Sequence, residues 1–205
     1  MGRRFCMATC SLSTDETTFQ ARFLMQTSLI HDYKMGAIVD VETTGMSPRH
    51  GDEVVEIGII LFRYNALDHD GVEIVETYQG LREPADLIPR GVIRVHGITD
   101  EMVRGKTLDN NKMESIFARA DFVVAHNASF DKSFLEHLLP MSMDRPWKCS
   151  CFGIKWVKHG LENRRLGTLR DFFGINHDEA HRALADCEVV LEALKRPHYL
   201  QELLK

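Results

Sequence analysis

The run Val54-Val55-Glu56-Ile57-Gly58-Ile59-Ile60-Leu61-Phe62 is too continuously apolar for a strand with one wet face, and it predicts a strand buried between two layers. A shorter run, Ala37-Ile38-Val39, leads from Gly36 through Asp40 to Val41 and predicts a second buried strand, and Val72 to Tyr78 predicts a third. The first part of the chain is therefore expected to be antiparallel. After a stretch punctuated by prolines the rhythm changes. Asp109 to Ala118 reads as a helix, Phe122 to Ala125 as a strand, Ala128 to Leu139 as a helix and Trp147 to Cys151 as a short strand. Leu166 to Phe173, ended by Gly174, and Ala183 to Leu194, ended before Pro197, read as further helices. Hairpin strands followed by alternating helices and strands predict an α/β fold, a central mixed sheet covered by helices on both faces. A chain of 205 residues, 44% hydrophobic, suits one substantial core. The expected organisation is a domain over residues 36–205 and an N-terminal extension over residues 1–35. In that extension Ser11 to Glu16 offers a capping start for one amphipathic helix carrying Phe19, Phe23, Leu24 and Ile30.

Several function classes are disfavoured by composition. No apolar run is long enough for a membrane span, and the start lacks a secretory pattern, so a cytoplasmic protein without membrane contact is expected. An odd number of cysteines, 5, argues against a disulfide framework. The net charge of −5 points away from a protein that depends on lysine and arginine to hold phosphates. That conflict softens if some of the acids are metal ligands, because bound divalent cations neutralise carboxylates and attract phosphate.

The acids are placed where an explanation is needed. Asp40 and Glu42 stand two apart on a strand and point to the same face, about 6 to 7 Å apart at Cα. Beside an apolar strand such a pair calls for protonation, a basic partner or a bound cation. Thr43-Thr44-Gly45 follows, with hydroxyls and an unhindered turn that a phosphate or sugar can approach. Asp131 falls in line with Leu135 and Leu138 on the apolar stripe of its helix, and Asp186 stands among Ala183, Cys187, Val190 and Leu194. For each, a Lys or Arg partner and a metal ion are equal explanations. His181, five residues before Asp186, belongs at the entrance of that helix.

Three segments, Asp40-Val41-Glu42-Thr43-Thr44-Gly45, His126-Asn127-Ala128-Ser129-Phe130-Asp131 and His181-Arg182-Ala183-Leu184-Ala185-Asp186, together resemble the motifs of the DnaQ-like exonucleases, in the subgroup named for its Asp-Glu-Asp-Asp carboxylates and histidine. His96-Gly97-Ile98-Thr99 also looks like a family segment, and the resemblance covers about Gly36 to Leu194. It implies a ribonuclease-H-like sheet and a 3′→5′ exonuclease acting on single-stranded 3′ ends, most simply of DNA in replication or repair, with release of 5′-mononucleotides. It further implies that Asp40, Glu42, Asp131 and Asp186 hold two Mg²⁺ or Mn²⁺ ions, with His181 as general base. Oxygen ligands suit such hard cations, and a metal pair serves both the attacking and the leaving oxygen. Thr43, Thr44, Gly45 and Met46 match positions that meet the terminal nucleotide, and Asn127 either orients substrate or braces the turn before its helix. His126 and His96 are expected to be structural.

An exoribonuclease trimming RNA ends or short oligoribonucleotides is the rival enzyme, since the same metals attack either phosphodiester. A non-catalytic nucleic-acid-binding or replication adaptor module is the rival from another class. A zinc site of Cys6, Cys10, Cys149 and Cys151 has poor spacing support. Lys155, Lys158, Arg164, Arg165 and Arg170 form a basic group that either guides a nucleic-acid backbone or is a solvated face. Gln26-Thr27-Ser28-Leu29-Ile30 resembles the short peptides that replication proteins insert into a sliding clamp, a motif short enough to arise by chance. Docking of the same segment on the exonuclease domain is the alternative, and a stable polymerase attachment through a long C-terminal tail is not expected.

Overall fold

A computed structural model of the chain describes residues 32–175 and 181–205. The expected N-terminal helix and the Gln26 to Ile30 segment lie outside the described residues. A five-stranded sheet runs in the order β3-β2-β1-β4-β5. Its strands are β1 (Tyr33–Thr43), β2 (Val54–Asn65), β3 (Glu73–Leu81), β4 (Phe122–Ala125) and β5 (Trp147–Cys149). The β1-β2 and β2-β3 pairs are antiparallel, whereas β4 and β5 run parallel to β1. This is the mixed sheet that the order of apolar runs predicts.

The period-two pleat of the buried strands sorts their residues between two cores. Ile38, Ile60, Phe62 and Val124 face one side, where they pack with Trp156, Leu169, Val190 and Leu194. Ala37, Val39, Val41, Ile59 and Leu61 face the other, with Met113, Phe117, Phe134 and Leu135. The helices among the described residues are α1 (Arg90–His96) and α2 (Asp100–Val103), which form a smaller cluster with Val55, Ile88 and Ile98, then α3 (Asn110–Arg119), α4 (Ala128–Leu138), α5 (Ser150–Gly153), α6 (Leu166–Phe173), α7 (Ala183–Leu194) and α8 (Pro197–Leu204). Among the described residues no helix is long and apolar enough to cross a membrane.

Most elements follow the periodicity, and the differences have local causes. β1 and β2 are longer than their apolar runs, because cross-strand pairing continues from Tyr33 opposite Asn65 after hydrophobicity has faded. Cys149 ends β5, and Ser150 and Cys151 turn into α5 instead of extending the strand. α1 was hidden in the proline-punctuated stretch, and α8 begins at Pro197, whose missing N–H costs nothing in a first turn. Gly58 is required by packing: a Cβ there would stand 2.4 Å from the Ala183 carbonyl carbon and the Leu184 nitrogen. The first turn of α7 is thereby seated directly on β2.

Candidate active site

Asp40 and Glu42 continue the alternation of Ile38, so they project to the face covered by α7. β4 ends at Ala125, and its pairing with β1 extends only to Ile38 opposite Val124. The β1 backbone beyond that point needs another partner. Asp131, in the first turn of α4, supplies it: the Val41 N–H donates to its Oδ1 at 3.2 Å. Asp186 occupies the same place in α7 and forms an ion pair with Arg170.

These elements converge on one charged site. Ligand-type atoms of Glu42, His181 and Asp186 all lie within 4.8 Å of one another. Asp40 and Asp131 lie outside that tight group but within its electrostatic field. Burial, then Asp131, Asp186, Glu42 and Glu56, push the Asp40 carboxyl well above the usual range. Glu42 is pushed up to about 8 by burial and by the charges of Asp186, Glu56 and Asp131. Asp131 is raised to about 7 by burial, against the pull of the Val41 N–H. Burial raises Asp186 too, while Arg170 and His181 oppose the shift. The physical reading is a set of carboxylates with more negative charge than its neighbours neutralise.

Sequence reasoning missed three residues that organise this site. Glu56 is fully buried on β2 directly opposite Glu42. Arg182 engages both its oxygens, Nε lying 3.1 Å from each, and Gln79 Nε2 donates to Oε1 at 2.9 Å. The Ala183 N–H donates to Oε2 at 3.0 Å, so a strand residue caps the helix that carries Asp186. His181, immediately before this anchor, has a positive φ of 60°. The signal for Glu56 was present, an acid inside the apolar run Val54 to Phe62, as was the Arg within the third motif. Arg170, placed by sequence in a basic group that either guides a nucleic-acid backbone or is a solvated face, is instead 2% exposed and paired with Asp186. Its place on α6 beside α7 could not be read from composition.

The expected substrate positions are less uniform. The Thr43 hydroxyl donates to the Gly45 carbonyl at 2.6 Å, and the Thr44 hydroxyl accepts from the Glu53 N–H at 2.9 Å, so both brace the turn. Gly45 is packed against the Asp52 carboxylate, which a Cβ would meet at 2.3 Å. A side chain there would have to displace that carboxylate, whose Oδ2 also accepts the Ser47 N–H at 2.8 Å. Met46 is 80% exposed. Asn127 adopts φ 79° and its backbone carbonyl accepts the Phe130 N–H at 2.9 Å. His126 Nε2 lies 2.8 Å from the Arg164 carbonyl, to which its N–H donates, and Nδ1 lies 3.0 Å from Ser150 Oγ. His96 accepts the Ile98 N–H at Nδ1, 3.0 Å.

A family model described as an exonuclease of the RNase T type matches residues 37–194. The chain is 28% identical over 175 residues to the 3′-5′ exonuclease DinG of Bacillus subtilis, covering 79% of this chain and 18% of that protein. It is 29% identical over 171 residues to the DNA polymerase III subunit epsilon of Treponema pallidum, covering 80% of this chain and 76% of the relative. Against DinG and the PolC-type polymerase of Caldanaerobacter subterraneus the chain spans less than a fifth of the relative's length. Among solved structures, exonuclease X in complex with 5′-overhanging duplex DNA superposes with a TM-score of 0.59 at 24% identity, covering 81% of this chain and 91% of the other. Exonuclease I with a dT13 oligonucleotide superposes with a TM-score of 0.60 at 20% identity, covering 79% and 40%. These two superpositions establish a ribonuclease-H-like exonuclease fold.

Proposed function

The chain belongs to the DnaQ-like, RNase T-type exonuclease family, and from that premise we propose that it removes 5′-mononucleotides from single-stranded 3′ ends, DNA being the substrate, in a reaction dependent on Mg²⁺ or Mn²⁺. The observation that carries the reading is the convergence of Glu42, His181 and Asp186 within 4.8 Å, in the field of Asp40 and Asp131. The donor set fits hard divalent cations: it is rich in carboxylate oxygen and under-neutralised. Asp40, Glu42, Asp131 and Asp186 would hold two such ions, which supply charge stabilisation for the attacking and leaving oxygens. His181 is exposed at the helix entrance, where its ring can take a proton from the attacking water. Thr43, Thr44 and Gly45 shape the turn beside the terminal nucleotide, Met46 offers its side chain to the base, and Asn127 braces α4. Residues 36–205 constitute the exonuclease domain in this reading, and residues 1–35 an extension.

The test is digestion of end-labelled single-stranded DNA, duplex DNA and RNA in parallel, with and without Mg²⁺ or Mn²⁺. Metal-dependent release of 5′-mononucleotides from the single-stranded DNA is expected. Preference for RNA would transfer the reading to an exoribonuclease, and inertness towards all three would sink it.

A further inference from the structure

β1, β4 and β5 are parallel, so their C-terminal ends open at the same edge of the sheet, where open α/β sheets bind ligands. Asp40 and Glu42 leave that edge on β1. Two strands away β5 ends at Cys149 and passes into α5, which carries Phe152. With a strand spacing of about 4.8 Å, the Phe152 segment is displaced sideways by about 10 Å from the carboxylates. Phe152 is 59% exposed, and the Arg164 guanidinium lies 4.2 Å from its ring centroid. Val157, 66% exposed, lines the same concavity of about 380 Å³, together with Lys155, Lys158 and Glu162.

The segment is held in place. Buried Trp156 donates from Nε1 to the Ser150 carbonyl at 2.8 Å. Asn163 Oδ1 accepts from the Arg165 N–H and the Thr168 hydroxyl, both at 2.8 Å. His126, next to the turn that starts α4, holds the Arg164 carbonyl at 2.8 Å. The platform is thus tied to the motif that delivers Asp131. Its charge runs against that of the chain: between residues 155 and 165 Glu162 is the sole acid beside Lys155, Lys158, Arg164 and Arg165, in a protein of net charge −5. Lys155 also interacts with Glu202, which His159 contacts at 2.7 Å, so part of its charge is offset, and Lys158 lines the same concavity.

We infer that Phe152 and Arg164, with Lys155 and Lys158, form a station for a single nucleic-acid strand upstream of the nucleotide being removed, one base stacking on the Phe152–Arg164 pair and the backbone following the lysines. An exposed aromatic face flanked by cations is the arrangement that binds single strands without reading sequence. The inference rests on the exonuclease reading for its substrate, and its test is independent of hydrolysis. Binding of a fluorescent thymidine dodecamer is measured by anisotropy in EDTA across a salt titration. Phe152→Ala is expected to weaken binding about 10-fold. Phe152→Trp, which keeps a π face, is expected to retain it, and Phe152→Leu to behave like the alanine variant. Lys155→Ala/Lys158→Ala is expected to reduce the slope of log K against log salt by about 0.7 to 1.4, the lower figure applying if Glu202 already offsets Lys155. Wild-type affinity in both Phe152→Ala and the lysine double variant, or a wild type that does not bind the dodecamer, overturns the station. Mononucleotide release by the wild type with Mn²⁺, assayed alongside, reads the exonuclease proposal separately.

Discussion

The helices α4 and α7 each bring one acid to the site in their first turn, and they hold it by different means. Asp131 accepts a backbone N–H from β1 at 3.2 Å and lies on a helix whose Phe134 and Leu135 are buried in one of the two main cores. Asp186 is paired with the buried guanidinium of Arg170, and its helix is capped from another element by Glu56, itself gripped by Arg182. Both acids lie where the helix dipole favours negative charge, worth about 0.3–1 kcal/mol, which is small beside the burial they suffer. One side of the site is therefore set by packing and backbone hydrogen bonds. The other is set by ion pairs that cross three elements.

Substitutions should separate the two sides. The largest effect is expected on turnover: Asp40→Ala and Asp186→Ala each lose a proposed metal ligand and should slow mononucleotide release by about 10³-fold or more, with circular dichroism unchanged for Asp40→Ala. Their stabilities should diverge. Asp186→Ala deletes the ion pair with the buried Arg170 and is expected to lose stability, whereas Asp131→Asn keeps an oxygen for the Val41 N–H, removes a repelling charge and should raise the melting temperature in EDTA at pH 8. A lower melting temperature for Asp131→Asn would break the comparison.

Next in size is Arg182→Ala, which leaves Glu56 buried without its cation at a cost of about 3–5 kcal/mol, roughly 10 °C in Tm. Adding Glu56→Gln should recover much of that loss, since the amide oxygen can still accept from Ala183. Recovery of stability without recovery of turnover would indicate that the pair also holds His181 in place.

A smaller effect follows from the raised carboxyls. In EDTA Glu42, at about 8, and Asp131, at about 7, bind protons in the folded state that the unfolded chain has already lost above its ordinary carboxylate range. Their contribution is complete at acid pH below that range and is lost as pH rises through 7 and 8. Tm in EDTA should thus fall between pH 6 and 8, by roughly 5 °C, and millimolar Mn²⁺ should remove most of the decline. A flat profile in EDTA would show that the acids are neutralised by protein groups. The smallest effect is expected for Met46→Ala, where stability should stay within about 0.5 kcal/mol because the side chain is 80% exposed, while KM for single strands rises a few-fold.

Hydrophobic pattern alone determined much of this molecule, because a continuous apolar run has few places to go except between two layers, and because acids on apolar stripes are costly enough to stand out. Asp40, Glu42, Asp131 and Asp186 stood out for that reason as acids in need of a partner, and the mixed sheet and the extents of α6 and α7 followed the same pattern. Tertiary structure decided what periodicity does not encode, namely which charges meet across elements distant in the chain. Arg170 read as part of a surface basic group until α6 packed beside α7, and Glu56 drew no reading in its apolar run, its bonds to Ala183 and Arg182 being visible only in the fold. That the glycine of the turn Thr43-Thr44-Gly45 packs against the Asp52 carboxylate was likewise visible only in the fold. Local composition sets the cost of burying a charge, whereas the partner that offsets the cost is chosen only when the chain has folded.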